Sequence, residues 1–339
     1  MISSGQARIV VTGCAGFLGS HLTEHLLALG HDVLGIDSYT DFYPRWLKAR
    51  NIARCLQQER FTLAELELST DDLDDALDGA DIVFHLAARA GVRGSFGESF
   101  ATYLRENVLA TQRLLESAAR RPPQRLVYAS SSSVYGDAPC YPTPESAPSR
   151  AVSPYGMTKM ATEALAAVYR HTHGIPVVGL RFFTAYGPRQ RPDMAFSRFI
   201  SRALAGEPLH ILGDGQQTRD FTYVDDIIAG TVAAAEHGRP GAVYNLGSGR
   251  PVMLLTVIEI LERLLDRKIQ VVHARPPVGE ARVTAADISL ALADLGYTPA
   301  YSLERGLAAQ LDWARSLSAV SGEARAVTPH ELLAAALVA

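Results

Sequence analysis

The segment Val11-Thr12-Gly13-Cys14-Ala15-Gly16-Phe17-Leu18-Gly19 joins a β-branched run, Arg8 to Thr12, to a helical stretch, Ser20 to Leu29. Glycines spaced GxxGxxG at a strand-to-helix turn satisfy three demands at once. They allow a tight turn, close approach of the backbone to a pyrophosphate, and snug packing of the helix on the sheet. The helix then offers its unpaired N–H groups to phosphate. Gly30 is placed to end that helix, and His31 to Asp37 reads as a second strand. Asp37 closes it as an acid able to hold the adenine-ribose hydroxyls. A carboxylate there repels a 2′-phosphate, which favours NAD over NADP. A glycine triplet alone marks only a turn, but strand, triplet, helix, strand and acid in series describe a dinucleotide site.

The pattern continues. Asp81 to Leu86, Arg125 to Ala129 and Val177 to Phe182 are uninterrupted apolar runs, as expected of strands covered on both faces. Ala101 to Ala119 and Thr158 to His171 read as helices between them. The expected fold is therefore α/β, a Rossmann-type doubly wound parallel sheet over residues 1–185. Past residue 185 the alternation lapses, and Pro, Gly and Arg cluster in Gly187-Pro188-Arg189-Gln190-Arg191-Pro192 and Gly213-Asp214-Gly215. We expect a smaller mixed α/β substrate-binding region over 186–315, with Val243 to Leu246 returning a strand to the main sheet. Residues 316–339 form an Ala- and Leu-rich tail without an assigned role.

Composition narrows the partners. A formal net charge of −4 gives no long-range pull toward nucleic acid or an anionic membrane, so an anionic ligand must be held by local donors. Lys48, Lys159 and Lys268 are the only lysines, which singles each one out. Cys14, Cys55 and Cys140 lack CxxC spacing and suggest neither a disulfide framework nor a zinc site, in keeping with a reducing cytoplasm. No apolar run reaches membrane-spanning length, and the N-terminus leads straight into a strand rather than a signal peptide.

Tyr155-Gly156-Met157-Thr158-Lys159 is a YxxxK sequence at a helix start, and a spacing of four puts both side chains on one face. A phenol of ordinary pKa about 10 is a poor base near neutrality, and an adjacent ammonium with a nicotinamide cation would lower it. Ser130-Ser131-Ser132-Ser133 follows the strand Leu126 to Ala129 and precedes Val134-Tyr135-Gly136. That position is the carboxyl end of a strand, where ligands bind in open α/β sheets. Hydroxyls there can bind a sugar oxygen and relay its proton. Ser131 and Ser132 therefore join Tyr155 and Lys159 as catalytic candidates.

Together, the glycine turn, His85-Leu86-Ala87-Ala88, the serine run and YxxxK closely resemble the extended short-chain dehydrogenase/reductase superfamily, from residue 8 to residue 313. The resemblance implies NAD held at Gly13, Gly16, Phe17, Leu18, Gly19 and Asp37. It also implies Glu67 and Leu68 near adenine, Ala87 near the cofactor, Asn107 in support, and Tyr155 with Lys159 as the catalytic pair. A homodimer is implied as well, built on the Ala101–Ala119 and Thr158–His171 helices.

Within the NAD-dependent epimerase/dehydratase family, sugar-nucleotide 4,6-dehydratases carry Thr-Asp-Glu before the Val-Tyr-Gly, and UDP-glucuronate decarboxylases tend to carry a Glu. The carboxylate-free window here resembles 4-epimerases. Asp37 to Tyr43, Ala90 to Arg93 and Arg181 to Asp193 are similar to UDP-glucuronate 4-epimerases. This implies Thr184 and the serines, Ser133 included, around the sugar carboxylate, with Arg93 and Arg191 nearby. Arg219, in Gly213 to Phe221, and Arg282, in Gly279-Glu280-Ala281-Arg282, match arginines expected on the diphosphate. The activity expected is NAD-dependent 4-epimerisation of a UDP-sugar, UDP-glucuronate to UDP-galacturonate through a 4-keto intermediate. Neighbouring alternatives are a UDP-glucose/UDP-galactose 4-epimerase and a UDP-glucuronate decarboxylase. An alternative of another class is a non-catalytic dinucleotide-binding scaffold, a type that often loses the tyrosine or lysine retained here.

Overall fold

The computed structural model describes residues 5–275 and 281–321. Seven strands form an all-parallel sheet: β1 (Arg8–Thr12), β2 (Asp32–Ile36), β3 (Phe61–Ala64), β4 (Ile82–His85), β5 (Arg125–Ser131), β6 (Val177–Phe182) and β10 (Val243–Leu246), in the order β3-β2-β1-β4-β5-β6-β10. The order reverses between β1 and β4, and in doubly wound folds this switch point opens the ligand crevice at the strands' carboxyl ends. Alternate side chains go to opposite faces, as the strand period of two dictates. Ile9, Val11 and Phe84 enter the core cluster that includes the helices Phe17–Ala28 and Val224–His237. Val10 and Val83 enter the other, with Leu114, Leu115 and Ala166. Burial on both faces explains why these strands read as continuous apolar runs.

The region after residue 185 adds β7 (Thr184–Tyr186), β8 (Leu209–Leu212), β9 (Thr218–Tyr223), β11 (Pro251–Met253) and β12 (Val271–Ala274). They form a three-stranded sheet, β11-β9-β7, and a two-stranded one, β12-β8. The boundary expected at 185 falls inside β7. Val243–Leu246 does return to the main sheet, beside β6.

Several element ends differ from the sequence reading. The first helix begins at Phe17 rather than Ser20, because extended Gly16 is its N-cap. Strand β3 was not anticipated; only Phe61 of its four residues is buried, so it carries no apolar run. The stretch expected as a helix from Ala101 to Ala119 is helical but not uniform. It runs as Phe100–Tyr103, a wider π-type turn over Leu104–Leu109, then Ala110–Arg120. The catalytic helix is longer than expected, Pro154–His173, with Ser153 capping Gly156 N at 3.1 Å, Pro154 in its first turn and left-handed Gly174 after its end. The expected tail from 316 begins inside the helix Leu303–Ser321; its remainder, 322–339, lies outside the described residues, as do Gly279 and Glu280. Among the described residues, no helix is long and apolar enough to cross a membrane, and no His/Cys/Asp/Glu cluster is arranged to hold a metal.

Candidate active site

A cleft of about 750 Å³ runs along the carboxyl ends of β1, β2, β4 and β5, a size typical of small-molecule sites. At one end lies the glycine turn. Gly13 is left-handed (φ 72°) and so close to β4 that a Cβ would sit 2.8 Å from Ala87 N. A Cβ on Gly19 would lie 2.0 Å from Gly13 O. Only glycine permits this approach of helix to turn. The helix Phe17–Ala28 has neither a side-chain cap nor an acid in its first turn, so its N-terminal N–H groups and positive dipole end are left for an anion.

Asp37 lies at the end of β2, its carboxylate accepting from Ala15 N (3.2 Å) and Tyr39 N (2.8 Å). Lys48 Nζ sits 3.8 Å from Asp37 Oδ1 and donates to Thr40 O at 3.0 Å. Burial holds the Lys48 ammonium below its usual pKa, against the attraction of Asp37. Its scarcity in the sequence was the only sign of this placement. Leu18, Glu67, Leu68 and Ala87 also line the cleft. Backbone donors, a diol-binding carboxylate and a close-packed glycine turn fit a dinucleotide.

At the other end are Ser131, Ser132, Ser133, Tyr155, Lys159, Thr184, Arg93 and Arg191. Tyr155 packs edge-to-face on Tyr103, 6.3 Å between ring centroids, and its backbone N donates to Ser95 Oγ at 3.0 Å. Ser95 Oγ in turn donates to Val92 O at 2.6 Å, fixing the loop that carries Arg93. Burial raises the Tyr155 phenol above its usual pKa, while a hydrogen bond with Ser131 and the charge of Arg191 pull it down. This corrects the sequence expectation, in which Lys159 was the lowering group. Lys159 Nζ is instead directed at Ala129 O, 2.9 Å away, and burial lowers its own pKa from 10.5 to about 8. Ser130, on the opposite face of β5, bonds Glu163, which is also held by Arg181 at 2.8 Å.

Arg191 is bidentate to Asp193 (3.0 and 2.9 Å) and faces the Phe42 ring at 5.0 Å. Burial works against the Asp193 carboxylate, but Arg191 overcomes it and keeps the pKa low. Arg189 belongs elsewhere; its Nη2 donates to both carboxylate oxygens of Glu24 (2.8 and 2.7 Å). Arg219 and Arg282 lie side by side, Arg219 Nη1 donating to Arg282 O at 3.1 Å, but neither is among the residues lining the cleft. Arg282 is exposed and pairs with Asp214 at 2.9 Å.

A buried chain of hydrogen bonds, unread in the sequence, links the two ends. Thr12 Oγ1 accepts from Ala87 N (3.2 Å) and meets His85 Nδ1 (2.9 Å); His85 Nε2 meets Thr111 Oγ1 (3.0 Å), which donates to Asn107 O (2.6 Å). Asn107 Nδ2 donates to Thr158 Oγ1 (2.9 Å), and Thr158 Oγ1 donates to Tyr155 O (2.7 Å). Asn107 also bonds both N (2.6 Å) and O (2.9 Å) of Arg89. Its place is thus behind the cleft, between the Arg89 loop and the catalytic helix.

A glycine turn and acid facing a tyrosine, lysine and serine across the switch point define an extended short-chain dehydrogenase/reductase. The chain belongs to the NAD dependent epimerase/dehydratase family, which it matches over residues 9–247. It is 38% identical over 317 residues to a UDP-glucuronate 4-epimerase of Thermodesulfobacterium geofontis, covering 90% of this chain and 95% of that protein. It is 45% identical over 314 residues to a Bacillus subtilis protein described as an uncharacterised UDP-glucose epimerase, covering 91% and 98%. The crystal structure of the Bacillus cereus UDP-glucuronic acid 4-epimerase, in complex with UDP-glucuronic acid and NAD, superposes with a TM-score of 0.89 at 42% identity, covering 91% of this chain and 99% of that one.

Proposed function

We propose that this protein is an NAD-dependent UDP-sugar 4-epimerase and that its substrate pair is UDP-glucuronate and UDP-galacturonate, interconverted through a 4-keto sugar. The observation that carries this reading is the hydrogen bond between Ser131 and Tyr155 in a strand-end window free of carboxylates. Tyr155, as phenolate, takes the proton of the sugar 4-OH; Ser131 and Arg191 favour that charge, and Lys159, one helical turn on, lines the same end of the cleft. NAD held in the cleft would supply the hydride acceptor for C4 and the donor that returns it. Tyr155 then gives the proton back once the ketone has turned its other face.

A 4-keto uronic acid is a β-keto acid, which loses CO₂ when its carboxyl bond stands perpendicular to the carbonyl plane. Ser132, Ser133 and Thr184 offer neutral donors that hold the carboxylate away from that alignment. Of the nearby acids, Asp193 is committed to Arg191 and Glu163 to Arg181. Neither of these two is thus free to protonate the ring carbon that decarboxylation would leave. Arg93 and Arg191 complete the sugar end. Arg219 and Arg282, which adjoin each other, are the arginines that the family resemblance assigns to the diphosphate.

The same reading takes the protein as a cytoplasmic homodimer. Leu104, Leu109, Met157 and Val168 are exposed apolar residues on the two helical segments expected to form the dimer contact, and Cys14, Cys55 and Cys140 are all unpaired.

An NMR time course with UDP-glucuronate tests the substrate. UDP-galacturonate forming without CO₂ release or added NAD is the expected result. A UDP-pentose would make the enzyme a decarboxylase. Inertness toward UDP-glucuronate with turnover of UDP-glucose would move the substrate to neutral hexoses.

A further inference from the structure

A second groove, of about 560 Å³, lies behind the Arg189–Pro192 loop, between the helices Arg45–Asn51, Ala195–Ala205 and Leu303–Ser321. Its surface is apolar, with Trp46, Leu47, Ile200, Leu204, Trp313 and Leu317 in the lining. Trp46 remains 44% exposed, a poor situation for the largest apolar side chain. Tyr43, Arg191 and Arg198 line both this groove and the catalytic cleft, so whatever fills the groove braces the outer wall of the sugar end.

We propose that this groove is the docking site of the chain's own segment 322–339, seated through Leu332, Leu333 and Leu337. Three observations carry this. The segment follows directly from the helix that forms one wall of the groove, and Leu317 lies one helical turn before Ser321. Its sequence is apolar at the end, Leu332-Leu333-Ala334-Ala335-Ala336-Leu337-Val338-Ala339. The B. subtilis and B. cereus relatives are covered over 98% and 99% of their lengths but match only 91% of this chain. About a tenth of this chain therefore has no counterpart in those relatives.

Trp46 and Trp313 are the only tryptophans in the chain, and both line this groove. Intrinsic fluorescence therefore reports on it alone. A version ending at Ser321 is expected to emit at longer wavelength than the full chain and to be quenched more strongly by acrylamide. A synthetic peptide of residues 322–339 should reverse both changes. Full-length protein carrying Leu332→Asp, Leu333→Asp and Leu337→Asp should match the shortened version while keeping its far-ultraviolet dichroism, which decides the matter should the shortened chain fold poorly. Superimposable emission and quenching of the full-length protein and the triple variant would overturn the proposal. So would a difference that varies with protein concentration, which would mean that a second copy fills the groove.

Discussion

Replacing Lys159 with methionine is expected to stabilise the protein while silencing it. Lys159 is only 4% exposed, and burial brings its pKa down from 10.5 to about 8 despite the attraction of Glu163. That gap corresponds to roughly 3 kcal/mol of unfavourable burial. The folded value lies below the unfolded one, so the cost is present in full below pH 8, where both states carry the proton. It fades as pH rises from 8 to 10.5, where only the unfolded chain still binds it. Methionine fills a similar volume without the charge. It forfeits the hydrogen bond to Ala129 O, worth about 1 kcal/mol. Glu163 is not stranded, since Arg181 and Ser130 still hold it. The net gain is about 2 kcal/mol, or roughly 2–5 °C in melting temperature for a chain of this size. Activity should fall by roughly 10²-fold or more, because Lys159 lines the catalytic end of the cleft one helical turn from Tyr155. The assay is thermal unfolding of cofactor-stripped wild type and variant at pH 7 and pH 10, beside turnover of UDP-glucuronate. A variant less stable than wild type at pH 7, or a difference unchanged at pH 10, would refute the reasoning.

Other substitutions probe the rest of the site. Tyr155→Phe should lower turnover by at least about 10²-fold and leave the NAD content, measured after denaturation, as it was; surviving turnover would remove Tyr155 from the proton transfer. Ser131→Ala removes a bond that pulls the Tyr155 phenol downward. Activity should drop about tenfold for roughly 1.4 kcal/mol lost, and the ascending limb of the pH–rate profile should move to higher pH; an unchanged pH profile would deny the link. Gly19→Ala sets a Cβ 2.0 Å from Gly13 O, whereas Gly16→Ala sets one at 3.1 Å. The first should cost about 1–3 kcal/mol and release NAD, and the second should be much milder; equal effects would contradict the packing account.

The sequence made the Rossmann half readable because its signals are local. A strand covered on both faces must be apolar throughout, and a turn that touches phosphate must be glycine. What stayed hidden depended on distant parts of the chain. β3 carries one buried residue and owes its existence to pairing with β2. The π-type turn at Leu104–Leu109 leaves the apolar spacing almost as a plain helix would. Arg191 and Arg189 stand two residues apart in one loop, yet one faces the cleft and the other locks onto Glu24. Residue type carried the catalytic group, but the direction of a side chain is a tertiary fact. Arg219 and Arg282 show the same limit, since their contact with each other and the pairing of Arg282 with Asp214 are not legible in the sequence.

His85 makes that tertiary coupling measurable. The chain of hydrogen bonds from Thr12 to Tyr155 runs through its ring, and the donors around it fix the tautomer. Thr111 Oγ1 gives its proton to Asn107 O, so it must accept from His85 Nε2. His85 Nδ1 then accepts from Thr12 Oγ1, whose lone pair takes the Ala87 N–H. A second ring proton would point at a donor. Burial, with the nearby Lys159 charge, accordingly lowers the His85 pKa from 6.5 to about 3. The folded state therefore binds fewer protons than the unfolded one between those limits, and stability falls as pH drops below 6.5, by up to about 1.4 kcal/mol per pH unit. His85→Asn should be less stable than wild type at pH 7.5 but lose less between pH 6.5 and 5, in chemical denaturation at each pH. Because the ring ties the cofactor turn to the catalytic helix, acid should loosen NAD from wild type in the same interval. Parallel pH slopes for the two proteins would mean that acid acts through other groups.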